Sequence, residues 1–190
     1  MIPIGISEIL KAVDGTLLWG DENGVVTNVV TDSRKAGKGS LFVPIVGERV
    51  DAHQFIPQVM QAGAGVTFSS RKDVAPAASG CCIYVEDTLA ALQKAAAYYR
   101  SRFDIPVIGV TGSVGKTTTK EMISAVLEKK YRVVKTQGNW NSQIGVALMM
   151  FELEPETELA IFEMGMSLPG EMARLVEIAK PQTAVMTNIG

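Results

Sequence analysis

Val107-Ile108-Gly109-Val110-Thr111-Gly112-Ser113-Val114-Gly115-Lys116-Thr117-Thr118 is the most informative stretch of this 190-residue chain. An apolar run enters a glycine-containing loop, and Gly-Lys-Thr then opens a segment of helical periodicity. The chemistry of phosphate binding needs these residue types. Gly112 and Gly115 let the backbone curl so that successive N–H groups face one concavity. Lys116 adds a positive charge toward terminal phosphates, and the Thr117 hydroxyl can ligate Mg²⁺. The start of the following helix adds its dipole to the same anion. The general pattern places glycine five residues before Gly115, where this chain has Val110, so the loop is a variant. The alternative is an incidental Gly-Lys-Thr turn; a strand before and a helix after favour phosphate binding.

Downstream the rhythm is strict alternation. Strands are expected over 107–110, 132–135, 159–162 and 183–187, and helices over 116–130, 142–151 and 170–178. Continuous apolar strands alternating with helices imply a parallel sheet covered on both faces. Most phosphate-loop proteins hold Mg²⁺ through an aspartate at the end of a later strand, yet no aspartate follows Asp104. Leu159-Ala160-Ile161-Phe162-Glu163 offers a carboxylate at the carboxyl end of an apolar strand, where ligands of open parallel sheets sit. Glu163 therefore takes the metal role beside Thr117, the alternative being an exposed strand-end charge. Glu152, Glu154, Glu156 and Glu158 compete but fall in a polar connection. In Gly138-Asn139-Trp140-Asn141 the asparagines read either as helix caps or as amides reaching the terminal phosphate or the metal shell. The last strand is followed only by Asn188-Ile189-Gly190, which leaves no helix to cover it, so a longer protein is expected.

Upstream lies a small mixed unit. Strands are expected over 25–30, 41–46, 66–68 and 82–85, with Phe55, Ile56, Val59 and Met60 at helical spacing. A helix over 88–103 keeps Leu89, Leu92, Ala96, Tyr99 and Phe103 on one face. It ends before Asp104-Ile105-Pro106, because proline disfavours helix at its predecessor. The expected fold class is α/β: a small mixed α/β N-terminal domain, 1–104, followed by the front part of a parallel-sheet P-loop domain, 105–190.

Composition narrows the function. Eighteen Lys+Arg against twenty Asp+Glu leave a net charge of −2, which gives no footprint for a nucleic acid backbone. The longest apolar stretch, 144–151, is far below the roughly 18 residues of a membrane span. The opening MIPIGISEIL lacks the basic start and small-residue cleavage site of a secretory signal. Cys81 and Cys82 are neighbours; a bond between them would close a strained ring, so two reduced thiols in a strand are expected. A cytoplasmic protein is the expectation.

The combination resembles the Mur ligases, the ATP-dependent amide-forming enzymes of peptidoglycan synthesis. Thr111-Gly112-Ser113-Val114-Gly115-Lys116-Thr117-Thr118 is similar to that family's TGxxGKT-type loop, which also lacks the early glycine. Further matches are Gly138-Asn139-x-Asn141-x-x-Ile144-Gly145, Glu163-Met164-Gly165 with Pro169-Gly170-Glu171, and Thr187-Asn188-Ile189-Gly190. In the N-terminal unit they are Thr31-Asp32-Ser33-Arg34, Leu41-Phe42-Val43-Pro44 and Gly47-x-x-x-Asp51-x-His53-x-Phe55. Ser142 stands where the family repeats asparagine. The likeness spans all 190 residues and is strongest to the branch that adds D-Ala-D-Ala.

The resemblance implies a three-domain ligase joining D-Ala-D-Ala to UDP-MurNAc-tripeptide through an acyl phosphate, with ATP and Mg²⁺ as cofactors and a monomer as the working form. ATP would be held by Thr111 to Thr118 with Asn139 and Asn141, Mg²⁺ by Thr117 and Glu163, with Lys116 and Glu163 as the catalytic groups. The UDP moiety would meet Ser33, Arg34 and His53, whose alternative reading is a strand-ending turn and a packed or capping histidine. The family's later histidine, its carbamylated lysine and its third domain have no positions in this stretch, so the 190 residues alone are expected not to ligate. Three alternatives stay open: the sister ligase adding the third amino acid, a UDP-sugar module with a vestigial loop, and a P-loop switch. The last would need an Asp-x-x-Gly and an Asn-Lys-x-Asp downstream of the loop, and the absence of aspartate after Asp104 excludes both in that stretch.

Overall fold

The computed structural model describes residues 1–189, which divide into two compact units, Met1–Ala95 and the residues from Ala96 onward. The first unit is built on a five-stranded sheet of order β2-β7-β6-β5-β4. Its strands are β2 (Thr16–Trp19), β4 (Asn28–Val30), β5 (Ser40–Phe42), β6 (Val66–Ser69) and β7 (Cys81–Tyr84). The β4-β5-β6-β7 ladder is parallel and only β2 runs antiparallel, against β7. A two-stranded ribbon of β1 (Ile4–Gly5) and β3 (Val25–Val26) stands beside helix α1 (Ile6–Ala12). Val30 and Phe42 pack with Ile56, Val59 and Met60 of α2 (Ile56–Gln61), and Trp19 and Phe55 close over this core.

Two expected strands are trimmed for identifiable reasons. The run 25–30 is interrupted at Thr27, whose N–H turns to Gly39 O, so the residues on either side join different sheets. The run 41–46 stops at Phe42 as a strand. Pro44 has no N–H to continue a ladder, and its carbonyl instead accepts the buried Thr88 hydroxyl at 2.6 Å. Elements β1, α1 and β2 went unread because each is short, although Ile4, Ile6, Ile9 and Val13 are all buried.

Helix α3 (Thr88–Arg100) ends three residues before the expected 103. The Arg100 guanidinium folds back onto the carbonyls of Phe103 and Ile105 and reaches Ala179 O, which holds 101–105 in a non-helical turn. In the second unit Tyr99 packs between Phe103 and Phe151, with centroids 5.2 and 5.3 Å away, and its hydroxyl donates to Leu153 O at 2.7 Å.

The second unit carries a fully parallel sheet of order β11-β8-β10-β9, from β8 (Val107–Thr111), β9 (Val133–Lys135), β10 (Leu159–Glu163) and β11 (Thr183–Met186). Helices α4 (Lys116–Leu127), α5 (Gln143–Met150) and α6 (Glu171–Ala179) make the crossovers. Ile123 and Leu127 of α4 seat on Val110, Leu159 and Ile161. Register pairs Glu163 with Val110, so the loop leaving β8 and the carboxyl end of β10 emerge side by side. Along β11, Thr183, Ala184 and Met186 are exposed. Among the described residues no helix is long and apolar enough to cross a membrane.

Cys81 and Cys82 are free thiols on β7, fully buried. Burial pushes them up to about 11 and about 12, so neither forms a thiolate near neutrality. The native chain should therefore resist an aromatic disulfide reagent at pH 8. Both thiols should titrate once denaturant unfolds it, and fast native labelling would show that β7 is not buried.

Candidate functional site

The loop after β8 is shaped by two left-handed glycines. Gly112 has φ +134°, and a Cβ there would lie 2.1 Å from Thr187 Oγ1, so only glycine fits. Gly115, at φ +84°, caps the N-terminus of α4. Lys116 Nζ arches back over the loop and donates to Gly112 O at 2.7 Å and Ser113 O at 3.2 Å. The first-turn amides of α4 have no intrahelical acceptors by geometry. Beside them opens a cavity of about 360 Å³, lined by Thr111, Gly112, Ser113, Lys116, Met166, Met172, Met186, Asn188 and Ile189.

Glu163 is only 2% exposed. Its Oε2 accepts the Thr117 hydroxyl at 2.8 Å and its Oε1 accepts Asn141 Nδ2 at 2.8 Å. Both donors are neutral, and a buried carboxylate so served is held at a cost that a cation would offset. Its backbone is braced from below: Glu163 N–H donates to the buried Thr136 hydroxyl at 2.8 Å, and Thr136 O accepts Lys120 Nζ at 2.7 Å. Lys120 is itself buried and pairs with Glu121 at 3.0 Å. Hydroxyl and carboxylate oxygens are the hard donors that Mg²⁺ prefers, and Mg²⁺ is commonly held by one or two carboxylates plus substrate phosphates. The Thr117 hydroxyl and the Glu163 carboxylate, 2.8 Å apart, are donors of that kind.

The competing glutamates lie elsewhere. Glu152, Glu154, Glu156 and Glu158 are exposed and precede β10, and Glu158 Oε2 accepts Arg132 N–H at 2.9 Å. Of the two asparagines, Asn141 is at the carboxylate and Asn139 is exposed in the turn closed by Trp140 N–H to Gln137 O. The cap of α5 is Ser142, whose Oγ accepts Gly145 N–H at 3.3 Å. Serine at that position thus does local structural work.

In the first unit, Asp32 caps the 3-10 turn Ser33–Lys35. Its carboxylate takes both the backbone N–H of Arg34 and its guanidinium fork, which holds it down to about 2. The Arg34 side chain is 84% exposed. His53 is buried, with Nδ1 on Asp51 Oδ1 at 2.6 Å and Nε2 accepting Ser70 N–H at 3.1 Å. The backbone donor at Nε2 fixes the tautomer: the ring proton sits on Nδ1 and is donated to Asp51. Asp51 also receives the Arg71 guanidinium. In this arrangement Nδ1 closes the 51–53 turn and Nε2 joins it to Ser70.

Comparison with known proteins follows the same division. The "Mur ligase family, catalytic domain" profile matches residues 25–100, and the "Mur ligase middle domain" profile matches residues 110–190. The chain belongs to the Mur ligase family. A Bacillus subtilis relative named UDP-N-acetylmuramoyl-tripeptide--D-alanyl-D-alanine ligase is 45% identical across 100% of this chain and 42% of its own length. Among solved structures, MurF from Acinetobacter baumannii superposes with a TM-score of 0.92 at 35% identity, covering 99% of this chain and 41% of that one. MurF ligase from Thermotoga maritima, solved in complex with ADP, gives a TM-score of 0.78 at 36% identity over 86% of this chain and 38% of its own. The chain thus spans about two fifths of the length of these Mur ligases.

Four residues of this Mur ligase site have roles that the sequence does not show. Thr136 and Lys120 carry no motif, and a lysine on a helix reads as solvated until packing shows it buried. Thr187 and Asn188 were visible as a motif without a role, since nothing in the chain shows that β11 ends against the loop of β8.

In Asp51 the donation from the His53 backbone N–H, with the His53 ring and Arg71 adding to it, lowers the carboxyl below its ordinary value. A carboxyl depressed on folding contributes stability that is complete above its unfolded value near 4 and is lost as pH falls through the lower folded value. Asp51→Asn should lower the melting temperature at pH 7 and flatten its decline below pH 4. An unchanged acid limb in thermal melts would remove Asp51 from this role.

Proposed function

We propose that the chain is the substrate- and nucleotide-handling portion of an ATP-dependent ligase that joins D-Ala-D-Ala to UDP-MurNAc-tripeptide in the cytoplasm. The observation that carries this reading is the bond from Thr117 to the buried Glu163, beside the Lys116 loop at the carboxyl edge of the sheet, beyond the ends of its two central strands. Such an edge binds a triphosphate and its cation together. The names of the full-coverage relatives support the choice of acceptor and dipeptide.

The proposed reaction has two steps. The terminal carboxylate of the tripeptide attacks the γ-phosphorus of ATP, forming an acyl phosphate as ADP leaves. The amine of D-Ala-D-Ala then attacks the acyl carbon, loses a proton and expels phosphate. Both steps depend on positioning and on neutralising charge. Lys116 and the amides of 113–118 take the charge of the β- and γ-phosphates. Thr117 and Glu163 would hold Mg²⁺, which when bound supplies Lewis-acid neutralisation of those oxygens. Asn141 keeps the Glu163 carboxylate oriented, and Asn139 reaches the nucleotide from the exposed turn.

The N-terminal domain, 1–104, is assigned to the UDP end of the substrate. The exposed Arg34 guanidinium provides the diphosphate contact, Ser33 a hydroxyl beside it, and His53 supports the neighbouring turn. The ATP domain begins at 105, and the working form is a monomer.

Calorimetry with Mg·ATP tests the reading. Lys116→Ala should weaken binding by roughly 10- to 100-fold, the worth of one charge-assisted donor. Glu163→Gln should leave binding in EDTA intact and abolish the gain from Mg²⁺. In the full-length protein, phosphate release should require both UDP-MurNAc-tripeptide and D-Ala-D-Ala. Equal ATP binding by Lys116→Ala and wild type would make the loop vestigial and leave a UDP-substrate module.

A further inference from the structure

The nucleotide reading leaves one set of contacts without a purpose. Asn188 Oδ1 accepts from two successive loop amides, Ser113 N–H at 3.1 Å, which it shares with Asn188 O at 3.3 Å, and Val114 N–H at 2.9 Å. Because both donors are backbone N–H groups, the end of the carboxamide facing the loop is the oxygen. The preceding residue grips the loop through its carbonyls: Thr187 Oγ1 donates to Val114 O at 2.6 Å, and Thr187 N–H donates to Thr111 O at 2.9 Å. The end of β11 thus supplies an acceptor for the loop's donors and donors for its acceptors.

Two consecutive N–H groups converging on one oxygen form the concavity in which P-loops hold a phosphate oxygen. Ser113 and Val114 are exposed, so water alone could satisfy their amides. We infer that Asn188 is a displaceable stand-in for a phosphate oxygen, keeping the loop curled and yielding the Ser113 and Val114 amides to an incoming polyphosphate. This rests on the phosphate-binding reading of the loop.

Neutrality is what makes the device work. A carboxamide oxygen satisfies the amides, yet an anionic phosphate oxygen makes charge-assisted bonds about twice as strong, so exchange runs toward the ligand. A carboxylate at the same position would match the phosphate for those donors and repel it. Thr187 and the two left-handed glycines retain the curl after the exchange.

The test measures affinities of inorganic tripolyphosphate, ADP and ATP for the wild-type chain and two variants, together with amide exchange at Ser113 and Val114. Asn188→Ala should tighten binding roughly 2- to 5-fold, the release of a weak tethered competitor, and should speed exchange of the Val114 amide in the free chain more than that of Ser113, which keeps the Asn188 carbonyl. Asn188→Asp should weaken binding about 10-fold or more, with partial recovery in high salt. If both variants weaken binding, Asn188 is a structural brace; if neither changes it, the contact is incidental. Either result overturns the inference while leaving the ATP reading intact. The predicted order with tripolyphosphate, combined with no measurable ATP or ADP binding, would instead sink the ATP reading and retain the stand-in.

Discussion

A single hydrogen bond, Thr117 Oγ1 to Glu163 Oε2 at 2.8 Å, ties together everything the second unit does. It joins the first turn of the helix after β8 to the last residue of β10, two points separated by 46 positions in sequence. Its existence depends on β8 and β10 being neighbours, with Val110 opposite Glu163. A slip of one residue in that ladder would turn the carboxylate to the opposite face of the sheet and leave the threonine without a partner. The same ladder sets the glycines and Lys116 of the loop beside the Glu163 carboxylate, the juxtaposition on which the proposed nucleotide site rests.

Around this bond the supporting contacts serve geometry. Thr136 and Lys120 set the height of Glu163 from the β9 side, and Asn141 holds its second oxygen. A buried carboxylate with hydrogen bonds to neutral groups alone is electrostatically unfinished. The Thr117 and Asn141 donors hold both of its oxygens in place. The loop is likewise held by the end of β11, through Thr187 and Asn188.

Much of this was legible from residues alone. The loop, the alternation of strands and helices and the choice of Glu163 follow from local pattern and from the absence of aspartate after Asp104. The mixed character of the first unit followed from its short apolar runs. Less visible were the elements whose reason lies in distant partners. The residues of β3 and β4 form one apolar run, and it is the turn of Thr27 toward Gly39 that divides them. His53 in sequence is a lone histidine after a turn; only folding brings Ser70 to its second nitrogen.

Local chemistry along the chain therefore marked the phosphate-loop pattern, the starts of α3 and α4 and the apolar runs of β8 and β10, because these depend on backbone freedom, spacing and polarity within a few positions. Tertiary structure alone decided which strand lies beside which, that Lys120 is enclosed and braces Thr136, and that Asn188 reaches the loop amides. Those outcomes are contacts across long stretches of chain. No near-neighbour preference encodes them, since the free energy that selects them arises only when the sheet assembles and water leaves.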